Sequence, residues 1–212
     1  MLDEAEPNDA TPFLPERRTL KDLREAAAGC RGCHLWRNAT QTVFGEGLKR
    51  SRVMLVGEQP GDREDRAGKP FVGPGGRELD RGLEVAGIVR ADAYVTNVVK
   101  HFKFAERGRR RIHATPKRFE IDACRPWLDE EIRLVRPEAV VLLGATAAKA
   151  ILGSSFRVTR QRGELLESDL APIVSATIHP SAILRAPDEQ TRQEERTAFV
   201  ADLANVARAL GA

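Results

Sequence analysis

The chain has 212 residues, 31% of them charged, and a formal net charge of +3, a profile that suits one globular domain with a sizeable core. No apolar run approaches the ~18 residues a membrane-spanning helix needs, and the acidic opening MLDEAEPNDA is unlike a secretory signal, so an intracellular, cytoplasmic address is expected. In that compartment three cysteines point to metal or cluster ligation rather than to disulfides.

Residues 1–17 are polar, carry Pro7, Pro12 and Pro15, and are expected to form a flexible arm ahead of a single domain over 18–212. Thr19 is placed to cap a helix over 20–28. Cys30-Arg31-Gly32-Cys33 follows, a C-x-x-C on a tight turn. The apolar run at 53–56 reads as a buried parallel strand that stops at Gly57. A long loop, GEQPGDREDRAGKPFVGPGG, then runs from 57 to 76 with acids at Glu58, Asp62, Glu64 and Asp65 and one aromatic, Phe71. A strand feeding a glycine-rich loop places it at the carboxyl edge of a sheet, where open α/β folds bind ligands. A solvated loop has no use for a lone Phe between Pro70 and Val72. A helix is expected over 76–86, and its start suits an anion.

The second strand covers 93–99, with Asn97 near its carboxyl end. Residues 100–116 read as a basic loop holding Phe102, Phe104 and a phosphate-suited cluster of Arg107, Arg109, Arg110 and Arg111. Pro116 opens a helix to about residue 135 that carries Cys124. A third strand at 139–143 turns through Gly144-Ala145-Thr146 into a helix ending at Leu152. Residues 156–166 read as an irregular hairpin turning at Gly163. A fourth strand at 173–177 leads to His179-Pro180-Ser181, and a last helix spans 189–210. Strands alternating with helices predict a three-layer α/β/α sandwich around a short central four-stranded parallel sheet. Polar residues at every strand end, Glu58, Asn97, Gly144 to Thr146 and His179, should converge. The glycines at 57, 61 and 68 do not fit G-x-G-x-x-G, which argues against a dinucleotide-binding redox protein.

GEQPGDREDRAGKPFVGPGG, TNVVK, LLGATAAKAILG and HPSAILR together resemble the uracil-DNA glycosylase superfamily, and within it the iron–sulfur branch, family 4. The resemblance runs from Cys30 to about Arg185. The loop GRRRIHATPKRFEIDACRPWL resembles that of UdgX, the member of this branch that becomes covalently attached to uracil-containing DNA; ordinary family-4 enzymes lack a histidine matching His113.

The resemblance implies a 4Fe–4S cluster held by Cys30, Cys33 and Cys124, with His101 where the family has its fourth cysteine. Imidazole replaces thiolate on iron in Rieske centres. These spacings also permit zinc bound by three cysteines and a histidine, and His34 is a further candidate ligand. Phe71 is implied as the platform for a flipped base, Asn97 as its reader, and His179 as the donor to uracil O2. Where other branches place a tyrosine against thymine, this chain has Gln59-Pro60-Gly61-Asp62, so exclusion falls to the backbone around Gln59 and Gly61. His113 is implied as the nucleophile at C1′, with Glu58 and Asp62 as nearby acids. Arg109, Arg110, Arg111 and Ser181 are expected on phosphates, and Leu184 or Ile183 as a wedge in the vacated gap. The expected partner is uracil-containing DNA, bound by a monomer.

Overall fold

The computed structural model describes residues 9–211. Helix α1 (Leu20–Ala27) is capped as the sequence predicts, Thr19 Oγ1 accepting from the Asp22 amide at 3.2 Å. Strand β1 (Val53–Gly57) is buried throughout. The loop after it contains an unpredicted helix, α2 (Asp62–Ala67), before α3 (Pro74–Val85). β2 (Ala93–Asn97) ends at Asn97 itself. The basic segment is a β-hairpin rather than a loop, with β3 (Phe104–Arg107) and β4 (Arg110–His113) antiparallel. Arg107 pairs with Arg110, so the turn is Gly108-Arg109, and Gly108 takes the positive φ (60°) that such a two-residue turn needs.

Helix α4 (Arg118–Val135) follows, then β5 (Ala139–Leu143), α5 (Ala145–Leu152) and the short α6 (Val158–Gln161). The hairpin expected over 156–166 is displaced: α6 occupies that stretch, and the turn lies between β6 (Leu166–Ser168) and β7 (Ala171–Thr177). A four-residue α7 (Pro180–Ile183) and α8 (Glu189–Ala209) complete the chain.

The main sheet has five strands, not four, in the order β2-β1-β5-β7-β6. The four expected strands are parallel, and β6 adds an antiparallel edge. Alternation along β1 sends Met54 and Val56 to a core with Trp127 and Leu128 of α4, and Val53 and Leu55 to one with Leu79 of α3 and Phe199 of α8. Part of the expected arm, residues 1–8, lies outside the described residues. The remainder is not loose: Ala10 is buried and its amide donates to the Ala123 carbonyl at 2.8 Å. Among the described residues no helix is long and apolar enough to cross a membrane.

Two glycines set the edge of the sheet where the strand ends meet. A Cβ on Gly57 would stand 2.4 Å from Asn97 Oδ1 and 2.9 Å from Phe71 Cζ. Phe71 has a φ of 56°, a costly conformation for a bulky residue, and its carbonyl would lie 1.7 Å from a Cβ on Gly76. Backbone cannot yield there as a side-chain tip would. Gly76→Ala should therefore cost about 3 kcal/mol or more, read as a lowered denaturant midpoint with an unchanged slope.

Candidate active site

At the carboxyl ends of the parallel strands lies a cleft of about 650 Å³. Glu58 enters it from the turn after β1, Asn97 from the end of β2, and His179 from the end of β7. Phe71, on the segment before α3, supplies one wall, its ring 6.1 Å from that of His179 and inclined by 22°. Asn97 is 2% exposed, and its side-chain amide makes no hydrogen bond among the described residues. The amide lines the cleft, where a ligand can complete its hydrogen bonds.

His179 is the cap of α7, its Nδ1 accepting from the Ser181 amide at 3.1 Å. A neutral ring that accepts at Nδ1 carries its proton on Nε2, which leaves one donor for the cleft. Burial pushes the His179 pKa down to about 4, outweighing the pull of Glu58, so the ring is neutral near pH 7. Burial alone would raise the Glu58 pKa, but contacts from His113 and Thr146 hold the carboxyl below its usual range. Glu58 is thus an anion in the cleft. His113 Nε2 stands 3.2 Å from Glu58 Oε1, an oxygen with no well-aligned hydrogen bond.

A superfamily profile described as "Uracil DNA glycosylase superfamily" matches residues 44–204. The chain belongs to the uracil DNA glycosylase superfamily. It is 35% identical over 196 residues to a type-4 uracil-DNA glycosylase of Sulfurisphaera tokodaii, covering 88% of this chain and 85% of the relative. It is 36% identical over 175 residues to a type-4 enzyme of Thermotoga maritima (82% and 88% covered). To a type-5 enzyme of Pyrobaculum aerophilum it is 29% identical over 184 residues (79% and 74%).

In this member of the superfamily the β3–β4 hairpin is gripped at two places. At its base, Gln59 accepts from the Lys103 amide at 3.0 Å and donates to the carbonyls of Lys103 and Ala114 at 3.1 and 3.2 Å. Along β4, Arg111 pairs with Asp62 at 2.5 Å and Asp65 at 2.7 Å, and donates to Thr40 at 3.0 Å. Its guanidinium also lies over Phe102 and Phe104. His113 sits between these grips, half-exposed above the cleft.

Two sequence-based roles change. Arg111, expected on phosphate, is spent inside the protein, its side chain only 14% exposed. The Gln59 side chain is committed to the hairpin, so only its backbone is left to face a base, as the sequence reading expected. Ile183 is fully buried, which removes it as a wedge and leaves Leu184, 39% exposed. Arg109 and Arg110 are exposed at the hairpin turn. Gly61, Asp62 and Ser181 line the cleft, although Asp62 also serves Arg111 and Arg66. The sequence reading missed Arg63, Thr115 and Arg185 as cleft residues, and Glu64, which also holds the Gly73 amide at 2.7 Å. All four sit inside the motif stretches quoted above without a role attached to them; Arg63 and Glu64 reach the cleft from α2, Thr115 from just after the hairpin and Arg185 from just after α7.

Behind the cleft, Cys30 and Cys124 are buried and Cys33 partly so. Burial raises the Cys33 thiol, with Cys30 adding to the effect, and pushes Cys124 up to about 12, with Cys33 and Cys30 adding to it. Metal binding would draw the protons from such thiols. Two donors already face them: the Lys100 amide to Cys124 Sγ at 3.2 Å and the Trp127 indole to Cys30 Sγ at 3.3 Å. His101 is buried, with Nε2 2.9 Å from Thr42 Oγ1. That hydroxyl gives its proton to the Ala27 carbonyl at 2.8 Å, so the ring donates at Nε2 and keeps a lone pair on Nδ1. By residue type alone the donor set suits a thiolate- and imidazole-bound centre. Among the described residues no three or more such groups are arranged around a single ion. His34 turns elsewhere, its Nε2 3.2 Å from Glu120.

Replacing Gln59 by Leu should release the hairpin base, so that amides of residues 103–114 exchange hydrogen about tenfold faster, or more. A pH effect follows from His179, whose folded pKa is depressed. The unfolded chain takes up a proton below about pH 6.5 that the fold refuses until about pH 4, so stability falls as pH drops through that window. His179→Gln should flatten the slope of unfolding free energy there by up to about 1.4 kcal/mol per pH unit.

Proposed function

We propose that the protein excises uracil from DNA and stays covalently joined to the resulting abasic site through His113. One observation carries the reading: a histidine on a hairpin held by Gln59 and Arg111, beside an ionised Glu58, in the same cleft as the unpaired amide of Asn97. The type-4 relatives' names support the excision half of the proposal.

The uracil ring of a flipped nucleotide stacks on Phe71. Asn97 offers a donor and an acceptor side by side, matching O4 and N3–H; cytosine presents a different pattern. As the bond from C1′ to the base nitrogen breaks, its electron pair leaves with uracil, and the Nε2–H of His179 stabilises the charge at O2. Glu58 steadies the positive character left on the sugar. The lone pair of the His113 ring then bonds to C1′, and the proton on its other nitrogen passes to the Glu58 carboxylate. Imidazole bound at C1′ is a poor leaving group, so the adduct persists. Arg109, Arg110 and Ser181 contact phosphates, and Leu184 fills the gap in the stack.

Cys30, Cys33, Cys124 and His101 hold a 4Fe–4S cluster in this reading. Donors aimed at two of the sulfurs and the free Nδ1 of His101 support it. Zinc bound by the same four residues is the alternative, less favoured because the family-4 resemblance points to the cluster. Bound, the group braces the N-terminal turn, the segment after β2 and α4 together.

A second reading, repeated turnover with water as nucleophile, is favoured by the half-exposure of His113, which leaves solvent a path to the sugar. Intact mass after incubation with a uracil-bearing single-stranded oligonucleotide separates the two. We expect one mass equal to protein plus the uracil-bearing oligonucleotide less one uracil, and one uracil released per protein, with His113→Ser abolishing the adduct. Several abasic products per protein and no adduct would establish the second reading.

A further inference from the structure

Lys100 and Glu131 form an ion pair with side chains 1% and 0% exposed, their charged atoms 2.5 Å apart. Removing two charges from water costs more than their attraction commonly returns, and an apolar pair of similar volume often serves stability better. This pair is fully used. The three protons of the Lys100 ammonium go to Glu131, to Thr96 Oγ1 at 2.6 Å and to the Asn97 carbonyl at 2.7 Å. Glu131 in turn accepts from Tyr94 at 2.9 Å, Thr96 at 2.9 Å and the Gly45 amide at 3.0 Å. At its other end the Lys100 backbone amide donates to Cys124 Sγ, and the next residue is His101. One residue therefore touches the base-reading strand end with its side chain and the cysteine–histidine cradle with its backbone.

We infer that Lys100 is a positioning residue for base recognition, pinning the Asn97 carbonyl from a seat on Glu131 and tying that strand end to the Cys124 cradle. The inference rests on the proposed uracil reading and extends it. Asn97 packs against Gly57 on one side, where a Cβ would collide with its Oδ1. Its amide has no hydrogen-bond partner among the described residues, so the backbone must hold it in register with a base. The Lys100 ammonium fixes that backbone from the core side. His113 and the hairpin hang from Gln59 and Arg111 instead, so this network governs recognition of the base, not the nucleophile.

The test compares Lys100→Met with the wild type in three measurements. These are iron and sulfide content, affinity for free uracil, and affinity for single-stranded DNA carrying a tetrahydrofuran abasic analogue, which has no base. Methionine keeps the backbone amide that faces Cys124, so metal content is expected to hold. Uracil affinity should fall about tenfold, with binding to the abasic analogue unchanged. Because Lys100→Met leaves Glu131 buried and unpaired, the double variant K100M/E131Q supplies a neutral core with the same strut removed, and it should show the same selective loss. Unchanged uracil affinity in either variant, or equal weakening for both ligands, overturns the inference. A wild type that binds no uracil overturns the functional reading and the inference with it, whereas wild-type binding with unaltered variants overturns the inference alone.

Discussion

The site depends on what happens immediately after β1. Glu58 and Gln59 are consecutive, so their side chains leave the strand end in different directions. Glu58 lines the cleft, while Gln59 is consumed by three hydrogen bonds at the base of the β3–β4 hairpin. A single turn thereby supplies an acid and fixes the element that delivers His113 to within 3.2 Å of it. Without the Gln59 tie, the hairpin would be held only through Arg111 and by contacts such as Lys103 to Glu120. An isolated two-stranded ribbon is marginal in water, so its geometry is set by what it is fastened to.

Two kinds of polar group are buried around this turn. Some are paired within the protein: Lys100 with Glu131 and the Asn97 carbonyl, and Arg111, apart from its unpartnered Nη2, with Asp62 and Asp65. Others are left open toward the cleft, namely the Asn97 amide and the Nε2 proton of His179. Satisfied groups rigidify their surroundings, and open ones define what a ligand must offer. The pattern they offer is a flat ring with an acceptor and donor on one edge and a further acceptor on another.

Much of this was legible in the sequence because it follows from strand periodicity and punctuation. The four apolar runs became the four parallel strands, and Glu58, Asn97 and His179 lie at their carboxyl ends as the topology requires. What escaped was made of charge. Helix α2, DREDRA, has only Asp65 buried, so it shows no apolar stripe. The strands FAER and RRIH are short and exposed, with charged residues where a strand would alternate, so they do not read as β-structure. Edge strand β6 is three residues long, below the length at which alternation is visible. Arg111 was misread for the same reason: sequence shows a run of arginines, and only the fold reveals which one faces two acids.

In the proposed mechanism His113 is held where it can bond to the sugar once uracil departs. The most direct measurement is a crystal structure of the protein after reaction with uracil-containing single-stranded DNA. Continuous density from the His113 ring to the anomeric carbon, with uracil stacked on Phe71 against Asn97, is the predicted result. A water molecule at that carbon, with the His113 ring turned away, would contradict it.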